Sequence, residues 1–249
     1  MDYYKFGNGD KTFVILPGVS IKSVLESKEA VADAYKAFGD DYTCYLVDYQ
    51  NEVRLGYAVK DFADDIALML LEMGLHDVYV FGASLGGMIA QELALRHREL
   101  VKKIVCGSTM AHHSDETKAL FSYWYTLCKN RDTATLNKDM REHIYSDSSL
   151  EMFASFFASV ENDATDYELD RMALLLKSMD YFDIRKNLKD IKCPMLVIGA
   201  TGDKALPCSM TEEIIKFAEC EGYIYEGYSH AVYDEAPDYK DRILEFFNK

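Results

Sequence analysis

Two rhythms alternate through the first half of the chain. Short apolar runs rich in Val, Ile, Tyr and Phe occur at "KTFVILPG", "YTCYLVDY", "DVYVFG" and "KKIVCGS". Their length and composition predict buried strands. Between them lie longer stretches with helical spacing. In "YAVKDFADDIALMLLEMG", Phe62, Ile66, Leu70 and Met73 fall on one stripe, and Gly74 closes it. In "SVLESKEAVADAYKAFG", Ser23 and Glu26 fit a capping box and Gly39 fits the stop. A further helix is predicted from Leu85 to about His97. Strands that alternate with helices need crossover connections. The sheet is therefore expected to be mostly parallel and covered on both faces, an α/β class. The first residues, ahead of Gly7–Asn8–Gly9–Asp10, are expected to add an antiparallel edge strand joined by that turn.

The alternation breaks at Ala111. From there to Met179 only helical patterns occur, around Phe121–Cys128, Leu136–His143, Leu150–Val160 and Tyr167–Met179. Asp147 is a candidate cap for the third, and Thr165 with Glu168 forms a capping box for the fourth. Strands resume at "CPMLVIGATGD" and "GYIYEGYSH", and "DYKDRILEFFNK" reads as a closing helix. The expected organisation is a core of residues 1–110 and 180–249 with a helical insertion, 111–179. That insertion is longer than ordinary connections. It is rich in aromatics: Phe121, Tyr123, Trp124, Tyr125, Phe153, Phe156 and Phe157. It is expected to pack on the core as a satellite and to cover a pocket as a lid, with Trp124, Phe153 and Phe157 near that pocket.

Composition narrows the function. With 249 residues, 49% of them hydrophobic, the chain can bury one sizeable core. The 27 basic and 42 acidic residues give a formal charge of -15, which argues against a nucleic-acid partner. The six cysteines are scattered without a C-x-x-C pair, the pattern of reduced thiols. The histidines show no zinc-ligand spacing, so no metal and no cofactor is expected. Adjacent His112 and His113 would point different ways on a regular element and read as surface or cap residues. No apolar run is long enough to span a bilayer, and "MDYYKFGNGD" lacks the character of a signal peptide. A soluble, cytoplasmic protein acting on a small molecule is expected, with the oligomeric state left open.

The chemistry is written in "VYVFGASLGGMIAQELAL". Ser84 stands between Gly82 and Gly86, after a strand and before a helix. The blander reading is a serine that caps a helix beside turn-forming glycines. The spacing G-x-S-x-G is weak by itself, but the context is the one the motif requires. The serine must sit on a strained turn that lifts its hydroxyl off the sheet edge. A serine is a poor nucleophile unless a base takes its proton. His230 follows the strand "GYIYEGYS" and can serve as that base. Asp203, in "VIGATGDKALP", follows another strand and can hold the histidine's tautomer. Ser84, Asp203 and His230 would all stand at the carboxyl ends of parallel strands, where open α/β sheets place their sites. The backbone N–H of Leu85, at a helix N-terminus, is one candidate oxyanion donor. Val19, just past Pro17–Gly18, is the other.

These segments resemble the α/β-hydrolase superfamily, in its small, lid-bearing branch of esterases, lactonases and C–C bond hydrolases. "VYVFGASLGGMIAQELALRHRELVKKIVCGST" is similar to the nucleophile-elbow region. "IKCPMLVIGATGDKALP" is similar to the acid-bearing segment, and "GYSHAVYDEAPDYKDRILEFF" to the histidine segment. The resemblance implies the α/β-hydrolase fold with an inserted cap. It also implies Ser84 as nucleophile, Asp203 as acid, His230 as base, and Val19 and Leu85 as oxyanion donors. The chain departs from the branch at Pro17–Gly18, where His-Gly is frequent, and at "QNEVRLGYA", where an Arg-Gly-x-Gly-x-Ser loop is frequent. Its cap matches no subfamily pattern. A lid so rich in aromatics would wall a pocket for a small apolar or aromatic group, so the expected activity is hydrolysis of a small-molecule carboxylic ester by a serine hydrolase. The same residues leave open a C–C hydrolase, an enol-lactonase, an N-terminal-proline peptidase, an acyltransferase and a non-catalytic binding protein of the same fold. The peptidase would need cap carboxylates, for which Glu161, Asp163, Asp166, Glu168 and Asp170 are the dense run. A haloalkane dehalogenase needs an aspartate where Ser84 stands and is excluded.

Overall fold

The computed structural model describes residues 1–49, 51, 53–159 and 164–249. In chain order the first elements are β1 (Asp2–Phe6), β2 (Lys11–Leu16), α1 (Lys28–Ala34), β3 (Tyr42–Asp48), α2 (Val59–Glu72), β4 (Val78–Ala83), α3 (Leu85–Arg96) and β5 (Val101–Gly107). A run of helices follows: α4 (Asp115–Asn130), α5 (Thr133–Ile144), α6 (Asp147–Met152), α7 (Ala154–Ser159) and α8 (Asp166–Ser178). The chain closes with β6 (Met195–Ala200), α9 (Cys208–Ala218), β7 (Glu221–Tyr225), α10 (Val232–Glu235) and α11 (Tyr239–Asn248).

The strands form one sheet in the order β1-β3-β2-β4-β5-β6-β7. All pairs are parallel except β1 with β3. The edge strand therefore exists, but the expected hairpin with β2 does not. Phe6 pairs with Cys44, and the chain then turns at Gly7, where φ is +73°, and passes the start of β3 to reach β2 on its other side. One face of the sheet packs on α2 and α3 through Phe62, Ile66, Leu70, Ile89 and Leu93. The other packs on Tyr35, Phe38 and the α11 residues Tyr239, Ile243 and Phe247.

The segment "SVLESKEAVADAYKAFG" is not one helix. It is a 3₁₀ turn at Val24–Ser27, then α1, then a second 3₁₀ turn at Lys36–Phe38. No capping box with Glu26 forms: Ser23 accepts from the Leu25 amide at 3.1 Å and donates its hydroxyl to Asp48 of β3. Ser146, not Asp147, caps α6, accepting from the Ser149 amide. The expected helix over Leu150–Val160 breaks at Phe153 into α6 and α7. Its end at Val160, the acidic residues Glu161 and Asp163, and the Phe156 side chain lie outside the described residues. The Thr165–Glu168 capping box is present.

The helices α4 to α8 hang from a narrow neck. His112 and Asp183 form an isolated antiparallel bridge, and the Ile184 amide donates to the Ala111 carbonyl at 2.9 Å. Beyond the neck, α4 packs along α8. Phe121, Trp124, Leu127, Leu169, Met172 and Leu176 bury into one cluster that continues into the α2/α3 side of the core. His113 bonds the Met179 carbonyl at 2.8 Å, and His112 lies 3.2 Å from Glu213, so both histidines stitch elements together.

Candidate active site

Ser84 ends β4 and caps α3 with φ +54° and ψ -118°, a region that L-residues avoid. Such a conformation persists only where the surroundings over-determine it, at a cost of about 1–3 kcal/mol. Here the surroundings are crossing backbones. A Cβ on Gly82 would lie 2.1 Å from the Gly86 carbonyl oxygen, and one on Gly86 would lie 2.1 Å from that of Leu16. The glycines let β4, α3 and the end of β2 meet without side chains between them. Thr109 locks the turn by donating its hydroxyl to the Ser84 carbonyl at 2.8 Å.

Asp203 lies in the loop after β6. One carboxylate oxygen accepts from the amides of Ala205 (2.9 Å) and Leu206 (2.7 Å). The other faces Nδ1 of His230 at 2.8 Å, and both side chains are buried. The two amide bonds fix the carboxylate, and the carboxylate fixes the ring, which aims Nε2 away from Asp203. Ser84 and His230 line one small cavity of about 20 Å³ with Gly18, Val19, Phe121, Trp124, Ile144, Ala205 and Tyr233. Among the described residues, no hydrogen bond joins the Ser84 hydroxyl to the ring, and such contacts are commonly long before a substrate binds. No group of three or more potential metal-binding side chains occurs among the described residues.

Leu85 is the first residue of α3, so its N–H has no partner within the helix. Val19 lines the Ser84 cavity and also a larger one beside it, of about 440 Å³. The two cavities share Gly18, Val19, Ile144 and Tyr233. The larger has an apolar floor that includes Ile15, Leu46 and Phe81, and polar walls that include Lys22, Arg141 and Asp234. The loop that carries Val19 is braced by Tyr49. This buried phenol donates to the carbonyl of Pro17, which stands where the branch frequently has the histidine of His-Gly. Burial, reinforced by the nearby Asp48 charge, pushes the phenol well above its ordinary range, so it stays a donor.

Trp124 lines the Ser84 cavity, and its Nε1 donates to Asp139 at 2.6 Å. Phe153 and Phe157 line neither cavity. Phe153 sits at the break between α6 and α7 and is half exposed. Phe157 packs on Tyr145 and accepts from Arg141 through its carbonyl, so it stands behind the wall rather than in it. Phe121, Ile144, Ala205 and Tyr233 take the places that pattern reading did not assign. Of the carboxylates considered for an amine site, Glu161 and Asp163 lie outside the described residues and the other three are otherwise engaged. Asp166 and Asp170 pair with Arg131, and Glu168 caps α8 and pairs with Lys22. In the segment that follows Tyr49, Gln50 and Glu52 lie outside the described residues.

A seven-stranded sheet with a strained serine at the end of β4, and a carboxylate–histidine pair at the ends of β6 and β7, defines an α/β hydrolase. The family described as "alpha/beta hydrolase fold" matches residues 27–237, and the chain belongs to it. It is 25% identical over 227 residues to a Serratia proteamaculans protein named "Putative carbamate hydrolase RutD", covering 84% of this chain and 81% of that one. It is 23% identical over 263 residues to the pimeloyl-[acyl-carrier protein] methyl ester esterase of Vibrio cholerae, covering 98% and 97%. Among solved structures it is similar to MGS-M2, an α/β-hydrolase enzyme from a Medee basin deep-sea metagenome library. The TM-score is 0.89 at 21% identity, covering 100% of this chain and 94% of that one. No helix among the described residues is long and apolar enough to cross a membrane.

Proposed function

We propose that the protein is a serine hydrolase that cleaves a small-molecule carboxylic ester through an acyl-enzyme on Ser84. The observation that carries this reading is the pairing of a strained Ser84 with a His230 that shares its cavity and is held by Asp203 at 2.8 Å. In the first step Ser84 Oγ attacks the ester carbon while His230 Nε2 takes its proton. The N–H groups of Val19 and Leu85 hold the oxyanion. Collapse breaks the bond to the alcohol, which leaves with the proton from His230. Water then attacks the acyl-enzyme, giving its proton to the same nitrogen, and Ser84 departs with it as the carboxylate is released. Asp203 keeps the proton on Nδ1 throughout and stabilises the imidazolium.

The helices from 111 to 179 act in this reading as a cap. Trp124 and Ile144 cover the reacting atoms and exclude water. The cavity at Ser84 has room for about one water molecule, while its neighbour can hold a larger group. This supports a substrate with a compact group on one side of the scissile bond and a small to medium apolar group on the other. A second reading, carbamate hydrolysis by the same residues, is favoured by the tight Ser84 cavity together with the printed name of the Serratia relative. The test is labelling with a fluorophosphonate followed by an ester and carbamate series. Labelling at Ser84, lost in Ser84→Ala, with activity on aryl esters that peaks at short to medium acyl chains, supports the ester reading. Labelling that survives in Ser84→Ala rejects it. Carbamate turnover without ester turnover selects the second reading.

A further inference from the structure

His230 is held from a second direction, by groups outside the triad. Its two chain neighbours are both bonded to the turn that joins α5 to α6. The Ala231 amide donates to the Ile144 carbonyl at 2.8 Å, and Ser229 Oγ lies 2.8 Å from the same oxygen. Glu235, on α10, closes the arrangement. One of its carboxylate oxygens accepts from the Ser146 amide at 2.8 Å. The other lies 2.7 Å from Ser229 Oγ and 3.2 Å from the Ser229 amide. One side chain thus spans the residue before the histidine and the N-cap of α6. Ile144, the last residue of α5 where that turn begins, lines both cavities.

We propose that Glu235 is a positioning residue that couples the α5–α6 turn over Ser84 to the histidine loop, so that His230 is aligned only when the turn is seated. The inference rests on the reading of His230 as the base. The triad bond sets the tilt of the ring, and the Gly202 amide holds the Tyr228 carbonyl at 2.9 Å, but the backbone on either side of the histidine is tied to the covering helices. The bonds from Ser229 and Ala231 fix that backbone. Their other ends lie in the covering helices rather than in the sheet. Displacing the turn therefore draws His230 with it, and seating the turn brings ring and cavity wall into place together. A carboxylate suits this role because it can accept from two separate segments at once, which a single hydroxyl or amide carbonyl cannot do with equal strength.

Glu235→Gln tests this. The amide keeps the shape but turns a donor toward one of the N–H groups. The expected result is a folded protein whose kcat falls about ten- to a hundredfold with KM within about twofold. Its fluorophosphonate labelling rate per folded molecule should fall by the same factor. The proton between His230 and Asp203 should also exchange faster in low-field proton NMR. Ser229→Ala, which removes one of the links and keeps the backbone, should lose about three- to tenfold in kcat, and it carries the test if the glutamine variant does not fold. The double variant should lose no more than Glu235→Gln alone. A folded Glu235→Gln protein with wild-type labelling rate and kcat overturns the coupling while leaving the triad assignment intact. Failure of the wild-type protein to label overturns both.

Discussion

The phenol of Tyr49 donates to the carbonyl of Pro17, which ties the end of β3 to the loop that follows β2. That loop carries Val19, the second expected oxyanion donor. Tyr49→Phe should therefore cost about tenfold in kcat, with KM little changed, because an oxyanion donor shifted out of place loses part of what its removal would lose. It should also leave a carbonyl unpaired at a buried site, at about 1–3 kcal/mol of stability. Steady-state kinetics with urea unfolding would check both. Unchanged kcat would mean that the loop holds its shape without the phenol.

Ser84 stands at φ +54°, where glycine is at ease and other residues are not. Ser84→Gly should abolish turnover and raise stability by about 1 kcal/mol, since it relieves backbone strain and leaves the fold in place. Ser84→Ala should abolish turnover without that gain, because alanine keeps the strain. A comparison of urea midpoints for the two variants separates the backbone effect from loss of the hydroxyl.

Asp203→Asn should keep the geometry and favour the wrong tautomer of His230, a loss on the order of ten-thousandfold in kcat. No second carboxylate stands ready after β5, where the residues are Ser108 and Thr109 and the latter is bonded to Ser84. A loss below about tenfold would mean that another group holds the ring.

Trp124 covers the Ser84 cavity and is pinned by Asp139. Trp124→Ala should open the site and move the acyl-chain optimum toward longer chains. It should also cost about 3–5 kcal/mol, the range for a buried tryptophan. A chain-length series on aryl esters reads the first effect and thermal unfolding the second. An unmoved optimum would remove Trp124 from the list of residues that set specificity.

Burial alone would raise the Glu235 carboxyl. The bonds it accepts, from the Ser146 amide first and from the Ser229 hydroxyl, outweigh burial and hold it below its ordinary value. A carboxyl held low in the folded state adds stability that is present above the ordinary glutamate range, about pH 4.3, and is lost as pH falls through the lower, folded value. The stability difference between wild type and Glu235→Gln should therefore be constant near neutral pH and shrink in acid. Urea midpoints measured across that range would test it. A difference that does not change with pH would mean that the carboxylate charge is not what the bonds depend on.

The parts of the site that could be read from the chain are those announced by strand ends. Ser84, Asp203 and His230 each follow an apolar run, and a parallel sheet brings such ends to one edge. Helical patterning in the insertion was legible as well, but the wall of the pocket was not. Apolar spacing marks a buried face without saying what lies against it, so Phe153 and Phe157 looked as suitable as Trp124 until the break at Phe153 turned them aside. Tyr49 and Glu235 were hidden for another reason. Each acts on a carbonyl or amide distant in sequence, and a backbone group leaves no mark in the pattern of side chains. At Ser23 the hydroxyl donates to Asp48 while still accepting from the Leu25 amide, and a side chain so far along the chain is not revealed by local spacing.

The neck at His112 and Asp183 has a consequence for how such a protein changes over generations. Entry and exit of the helical insertion are bonded to each other, so whatever lies beyond the bridge can be lengthened, shortened or exchanged while the strand ends that carry Ser84, Asp203 and His230 keep their spacing. New substrates can therefore be reached by replacing the cover while the chemistry is handed on unaltered. The limit on that freedom is the turn from Ile144 to Ser146, which any replacement must reproduce because the histidine loop leans on it.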